Sequence, residues 1–152
     1  MKLLAKAALA AIGIWALAAV VVWVDLGLRA REAYAEGLKY IEWDKHPEIK
    51  AAYYDAELSS RQARLDREFQ AGRVAPDAYK AKMSLLRFER DERISESSLK
   101  YAYVWFQTGC DLLSPPQSRW VRLCCGRMPT TLKRWKTELK VQGVPFEDYM
   151  FE

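Results

Sequence analysis

The stretch AALAAIGIWALAAVVVWV, residues 7–24, decides how the rest of the chain is read. It runs for eighteen residues without a charge or a proline. As a helix rising 1.5 Å per residue it reaches about 27 Å, close to the thickness of a bilayer's hydrocarbon core. Leu9, Ile12, Ile14, Leu17, Val20, Val21, Val22 and Val24 each favour insertion by roughly 0.3–0.6 kcal/mol, so the span enters a membrane without a large excess of driving force.

Both ends carry interface anchors. Trp23 sits at the exit beside Asp25, where an amphipathic ring suits the headgroup level, and Lys2 and Lys6 can snorkel at the entry. Lys2 and Lys6 also imitate the first part of a secretion signal, with Ala16-Leu17-Ala18 as its cleavage site. The apolar run continues through Val20–Val24 past any such cut, which favours a retained anchor. Ala7, Ala11 and Ala18 fall on one helical stripe, a small-residue surface that lets a second transmembrane helix approach, unless they only reflect a common residue.

Orientation is nearly balanced, because Lys2, Lys6 and the terminal amine oppose Arg29, Arg31 and Lys39. A short basic tail resists translocation. The expected location is therefore single-pass in a bacterial inner membrane, with the N-terminus cytoplasmic and the C-terminal domain periplasmic.

Beyond the span, Leu28, Ala33, Tyr34, Leu38 and Ile41 keep a helical spacing and no proline comes before Pro47. The anchor helix should continue straight out of the membrane. His46-Pro47 marks a break, with proline suited to the first position of a new helix. That second helix extends over Glu48–Ala71 and stops at Gly72, a good left-handed cap. Pro76 opens a third helix, with Asp77 in its first turn and no Gly or Pro until Gly109, so it is expected to run past thirty residues. Its apolar positions, Tyr79, Met83, Leu86, Ile94, Tyr101 and Trp105, run near a 3.5-residue period that Arg90 and Ser95–Ser98 interrupt, which favours an antiparallel hairpin with the second helix over a long parallel coiled coil.

Leu65, Phe69, Gly72, Val74, Tyr79, Lys82, Leu85 and Leu86 together resemble the short helical hairpins called SHOCT domains. The likeness covers only about thirty residues of the chain and departs from the pattern at Ala75 and Ala78, which stand where a capping threonine and an acidic residue belong. It implies a hairpin and a part in oligomerisation, as in many bacterial membrane proteins.

Ser114-Pro115-Pro116 ends this region, and the chain turns basic: Arg119, Arg122, Arg127, Lys133, Arg134, Lys136 and Lys140 face a lone acid, Glu138. Two short helices fit there, over 116–125 and 130–141, with Gly126 and Pro129 as the break and Thr130 or Thr131 as a cap. Gly143 and Pro145 then release an acidic, aromatic tail. The expected organisation is a transmembrane anchor (1–24), a membrane-proximal helix (25–46), an antiparallel hairpin (47–113), a basic short-helix segment (114–142) and the tail (143–152). The fold class is all-α, one N-terminal transmembrane helix continuing into an extramembrane helical hairpin with short C-terminal helices.

The chain has 24 basic and 20 acidic residues, one histidine and three cysteines. One histidine cannot furnish the usual nucleophile pairing, and neither a phosphate-binding loop nor a dinucleotide fingerprint is present, so no enzyme and no cofactor are expected. Asp44, His46 and Glu48 lack a second histidine or a nearby cysteine, which favours a capping role over a metal or an axial haem ligand. Cys110, Cys124 and Cys125 have no C-x-x-C spacing; packed thiols are expected, with a bridge from Cys110 to Cys124 or Cys125 as the alternative.

The contact residues expected on this reading are Ala7, Ala11, Ala18 and Trp23 on the span, Trp105 in the aromatic cluster Tyr101–Phe106, and Arg119, Trp120, Arg122, Lys133, Arg134 and Trp135 in the basic segment. Arg and Lys interleaved with Trp suit anionic lipid headgroups, or else an ordinary solvated or partner-facing basic helix. A membrane anchor argues against nucleic acid as the partner. The expected function is a non-catalytic accessory subunit packed on larger integral subunits of a membrane complex, such as a bioenergetic one; the alternative is a self-associating tether that forms homo-oligomers through the hairpin.

Overall fold

A computed structural model describes residues 2–151, with side chains described from residue 12 onward. The described chain is all-α, with no strand. Its helices are α1 (Lys2–Lys45), α2 (Pro47–Gln70), α3 (Pro76–Ser95), α4 (Ser98–Gln107) and α5 (Arg119–Val141); a π-helical turn, Thr108–Leu112, follows α4, and a short 3-10 turn, Asp148–Phe151, closes the tail. Two compact units arise: residues 1–39 with 99–152, and residues 40–98.

The apolar span does continue without a break into polar sequence. The 44 residues of α1 measure roughly 66 Å at 1.5 Å per residue. From Ile12 to Val24 every large apolar side chain is exposed, Trp15 at 79% and Trp23 at 63%. The helix is long and apolar enough to cross a membrane near the N-terminus, by length and composition.

In the first unit, α4 and α5 pack on the part of α1 that follows the span. Ala30 and Ala33 of α1 are buried with Leu99, Ala102, Tyr103 and Phe106 of α4 and Val121 and Cys124 of α5. The second unit is the hairpin of α2 and α3 joined to the last turn of α1. Trp43 is buried there, with the rings of Tyr40, Tyr53 and Tyr54 at 5.0–5.7 Å. Gly72 makes the hairpin turn at φ 68°, where a Cβ would be strained. Asp55–Arg90 and Arg61–Glu89, each at 2.7 Å, tie the two helices across their length.

Three elements differ from the sequence expectation. The third helix ends at Ser95 rather than near Gly109, because the serine-rich junction offers local competitors to helical bonds: Ser95 Oγ donates to Glu92 O and Glu96 turns extended, φ −61° and ψ 141°. The hairpin therefore closes by Ser95, and residues 99–113 belong to the other unit. The two short C-terminal helices are one, running through Pro129. Val121, Cys124, Met128, Thr131 and Trp135 form one buried or half-buried face on both sides of the exposed proline, and that continuous burial outweighs a missing N–H whose cost is about 3 kcal/mol. Thr131 is accordingly no cap; it is buried and its Oγ1 donates to Arg127 O at 3.0 Å.

The tail is not released. Gly143 turns the chain at φ 69°, Lys136 pairs with Asp148 at 2.7 Å, Tyr103 Oη donates to Phe151 O at 2.7 Å, and the Phe151 ring meets Trp135 edge-on at 5.0 Å.

Candidate functional site

The membrane-proximal bundle is built on small residues. Ala30, Ala33 and Gly37 recur along one face of α1, and a Cβ added at Gly37 would stand under 3.0 Å from the Phe106 ring. A Cβ at Gly109 would likewise strike Cys124 Sγ and lie 3.3 Å from Ala33 Cβ. Small residues here let helix backbones approach closely, the role expected of Ala7, Ala11 and Ala18 within the span. Ala18 is exposed, and the side chains of Ala7 and Ala11 lie outside the described residues. The spacing Ala30-Ala33-Gly37 is the same small-residue signal, set among charged residues that mask it in the sequence.

Phe106 lies against Tyr34, ring centroids 6.0 Å apart, and Tyr34 lies against Trp120 at 5.9 Å. The guanidinium groups of Arg31 and Arg119 stand 6.0 and 5.6 Å from the Trp120 ring, cations over a π face. Arg119, Trp120, Arg31 and Tyr34 thus gather at the start of α5, which Ser118 caps by accepting from Val121 N. Arg122 is exposed and donates to Gln117 O at 2.9 Å.

The remaining contact residues are not brought together with these. Lys133 and Arg134 are exposed farther along α5, whereas Trp135 is half-buried, 5.7 Å from Tyr103 and against Phe151. Trp105 is half-buried on α4, whose Tyr103 and Phe106 are core residues. Burial raises the Tyr103 hydroxyl above its ordinary range, with Asp111 adding to the effect, and the Lys136 hydrogen bond lowers Asp148.

Cys110 and Cys125 are joined in a disulfide, Cα–Cα 4.8 Å, which links the π-helical turn to α5. The expected packed thiols reduce to one, Cys124, which is fully buried and whose thiol burial pushes up to about 11. A buried thiol of that kind is inert.

In the hairpin unit, His46 is exposed at the α1–α2 junction, with Nδ1 3.1 Å from Glu48 Oε1 and Nε2 3.6 Å from Glu42. That hydrogen bond, after the backbone bond at its own helix start, lowers the Glu48 carboxyl. Among the described residues no three of His, Cys, Asp and Glu gather into a group able to hold a metal ion. A residue that sequence reasoning missed is Lys50, 4% exposed, whose Nζ donates to the carbonyls of Ile94 and Glu96 at the end of α3. A lysine in a run of solvated charge gives no sign of burial until the hairpin register is known.

No protein-family model, no curated protein and no solved structure matches this chain. The hairpin is therefore shown by its own geometry: Tyr79 stacks on Phe69 at 4.6 Å and its hydroxyl donates to Asp66 at 2.6 Å.

Proposed function

We propose that the chain is a non-catalytic, single-pass accessory subunit that packs on larger integral subunits of a membrane complex. The observation that carries this reading is the incomplete core of the hairpin unit. Along α2 and α3 the buried apolar side chains are Leu65 and Met83, while Ile49, Tyr53, Phe69, Leu85 and Phe88 stay exposed at 38–61%. Burying one such side chain is worth roughly 1.5–3 kcal/mol, so a two-helix unit that leaves five in water gains much from a partner. Tyr79, Met83 and Phe88 line an open depression of about 570 Å³ on that surface, of a kind that marks interaction sites.

Unbroken continuation of the apolar run into a helix whose Ala30 and Ala33 are core residues supports a retained anchor. The Cys110–Cys125 bond supports placing the C-terminal domain on an oxidising, periplasm-like side, where disulfides persist.

Extraction of a tagged chain from its native membrane in mild detergent tests the proposal. The expected result is stoichiometric co-purification of larger membrane polypeptides, lost in Leu85→Glu/Phe88→Glu while the variant stays in the membrane. A lone monomer contradicts it; crosslinks only between copies of the chain would make it a self-associating tether instead.

A further inference from the structure

We propose that the bundle of residues 1–39 and 99–152 stands on the phospholipid headgroup layer through a foot made of the loop 112–118 and the start of α5. This inference rests on the reading that α1 spans the bilayer.

The heights follow from α1 used as a ruler. Phe106 packs at Gly37 and Gly109 at Ala33, so α4 runs back toward the span. Ala33 lies nine residues past Val24, about 13 Å along the helix. The chain descends from there through Leu112, and returns at Trp120 against Tyr34 and Arg31. The loop between them is therefore the lowest part of the bundle, within reach of a headgroup layer about 5–8 Å thick on each side. Leu26, two residues past the span, is already half-buried.

The chemistry of this end fits lipid. Leu112 is 75% exposed, an apolar side chain suited to dip toward the acyl boundary. Trp120 is half-buried, an amphipathic ring with the guanidinium groups of Arg31 and Arg119 6.0 and 5.6 Å from its centre. Guanidinium groups bind phosphate oxygens in bidentate fashion. The acids at this end are Asp25, paired with Arg29 at 2.8 Å, Glu32 and Asp111; Arg29, Arg31, Arg119 and Arg122 exceed them by one charge. The partner is thus the phosphate layer of the leaflet at the C-terminal end of the span, and the surface is continuous with the span itself.

The full chain is reconstituted in nanodiscs of phosphatidylcholine and phosphatidylglycerol with a photoreactive amino acid at position 17, 112 or 141. Position 17 reports the span, and position 141, where Val141 is 83% exposed, reports open surface. The expected result is a phospholipid adduct at 17 and 112 but not at 141, with the yield at 112 falling at least about fivefold in Arg31→Gln/Arg119→Gln. Lipid at 17 with none at 112, or a yield at 112 unchanged by the two substitutions, overturns the foot and leaves the anchor standing. No lipid at either position overturns the anchor reading together with it.

Discussion

Gly37 shows how one residue sets the spacing of two helices. Its missing side chain is the space that the Phe106 ring occupies. Gly37→Ala should therefore cost about 1–3 kcal/mol, as overpacking does, whereas Gly27→Ala on the same helix meets nothing within 4 Å and should be neutral or stabilising by up to about 1 kcal/mol. Thermal unfolding of the two variants in one detergent, followed by helicity, separates these outcomes; equal effects would refute the close-approach account. Cys124 makes a second prediction at this scale. Its thiol moves from an ordinary 9.0 to about 11 in the fold, so between those values the folded chain holds a proton that the unfolded chain releases. The contribution is fully present below pH 9 and is lost as pH rises toward 11, at up to about 1.4 kcal/mol per pH unit. Denaturant unfolding at pH 8 and pH 10.5 should show a smaller loss in Cys124→Ala than in the parent chain, and an equal loss would contradict the assignment.

At the scale of elements, Lys50 closes the hairpin. The last carbonyls of α3 have no helical partner, and the buried ammonium of Lys50 bonds those of Ile94 and Glu96. Lys50→Met keeps the stem and removes the donor; it should destabilise the unit by about 1–3 kcal/mol, visible as faster amide exchange in the last turn of α3 with the α4–α5 amides unchanged. Uniform loss of protection would contradict a local role. The extent of these elements was only partly legible in the sequence. Pro47 and Pro76 announced helix starts because proline acts locally, and Gly72 announced the turn for the same reason. Pro129 misled, since its local cost is overcome by burial on a face that depends on where α1 and α4 lie. The end of α3 at Ser95 also rests on a contact that local sequence does not show, the bonds from Lys50, in a segment far away in the chain, to the carbonyls of Ile94 and Glu96. Within the basic segment, Trp135 turns inward onto Tyr103 while Trp120 stays with Arg31 and Arg119; helical periodicity alone does not say which tryptophan meets a neighbour.

For the whole molecule, a run of exposed apolar side chains from Ile12 to Val24 leads directly into a packed helical bundle on the same helix. In water that run would leave nine large side chains unburied, which a bilayer removes at no further structural cost. A cleaved leader and a retained anchor share this apolar run but differ in what remains of the chain. The direct measurement is the intact mass of the protein recovered from membranes washed at high pH, which strips peripheral proteins and leaves spanning ones. The account predicts a chain that keeps residues 7–24, recovered in the washed membrane pellet. A shorter chain cut near Ala18 and released into the supernatant would contradict it.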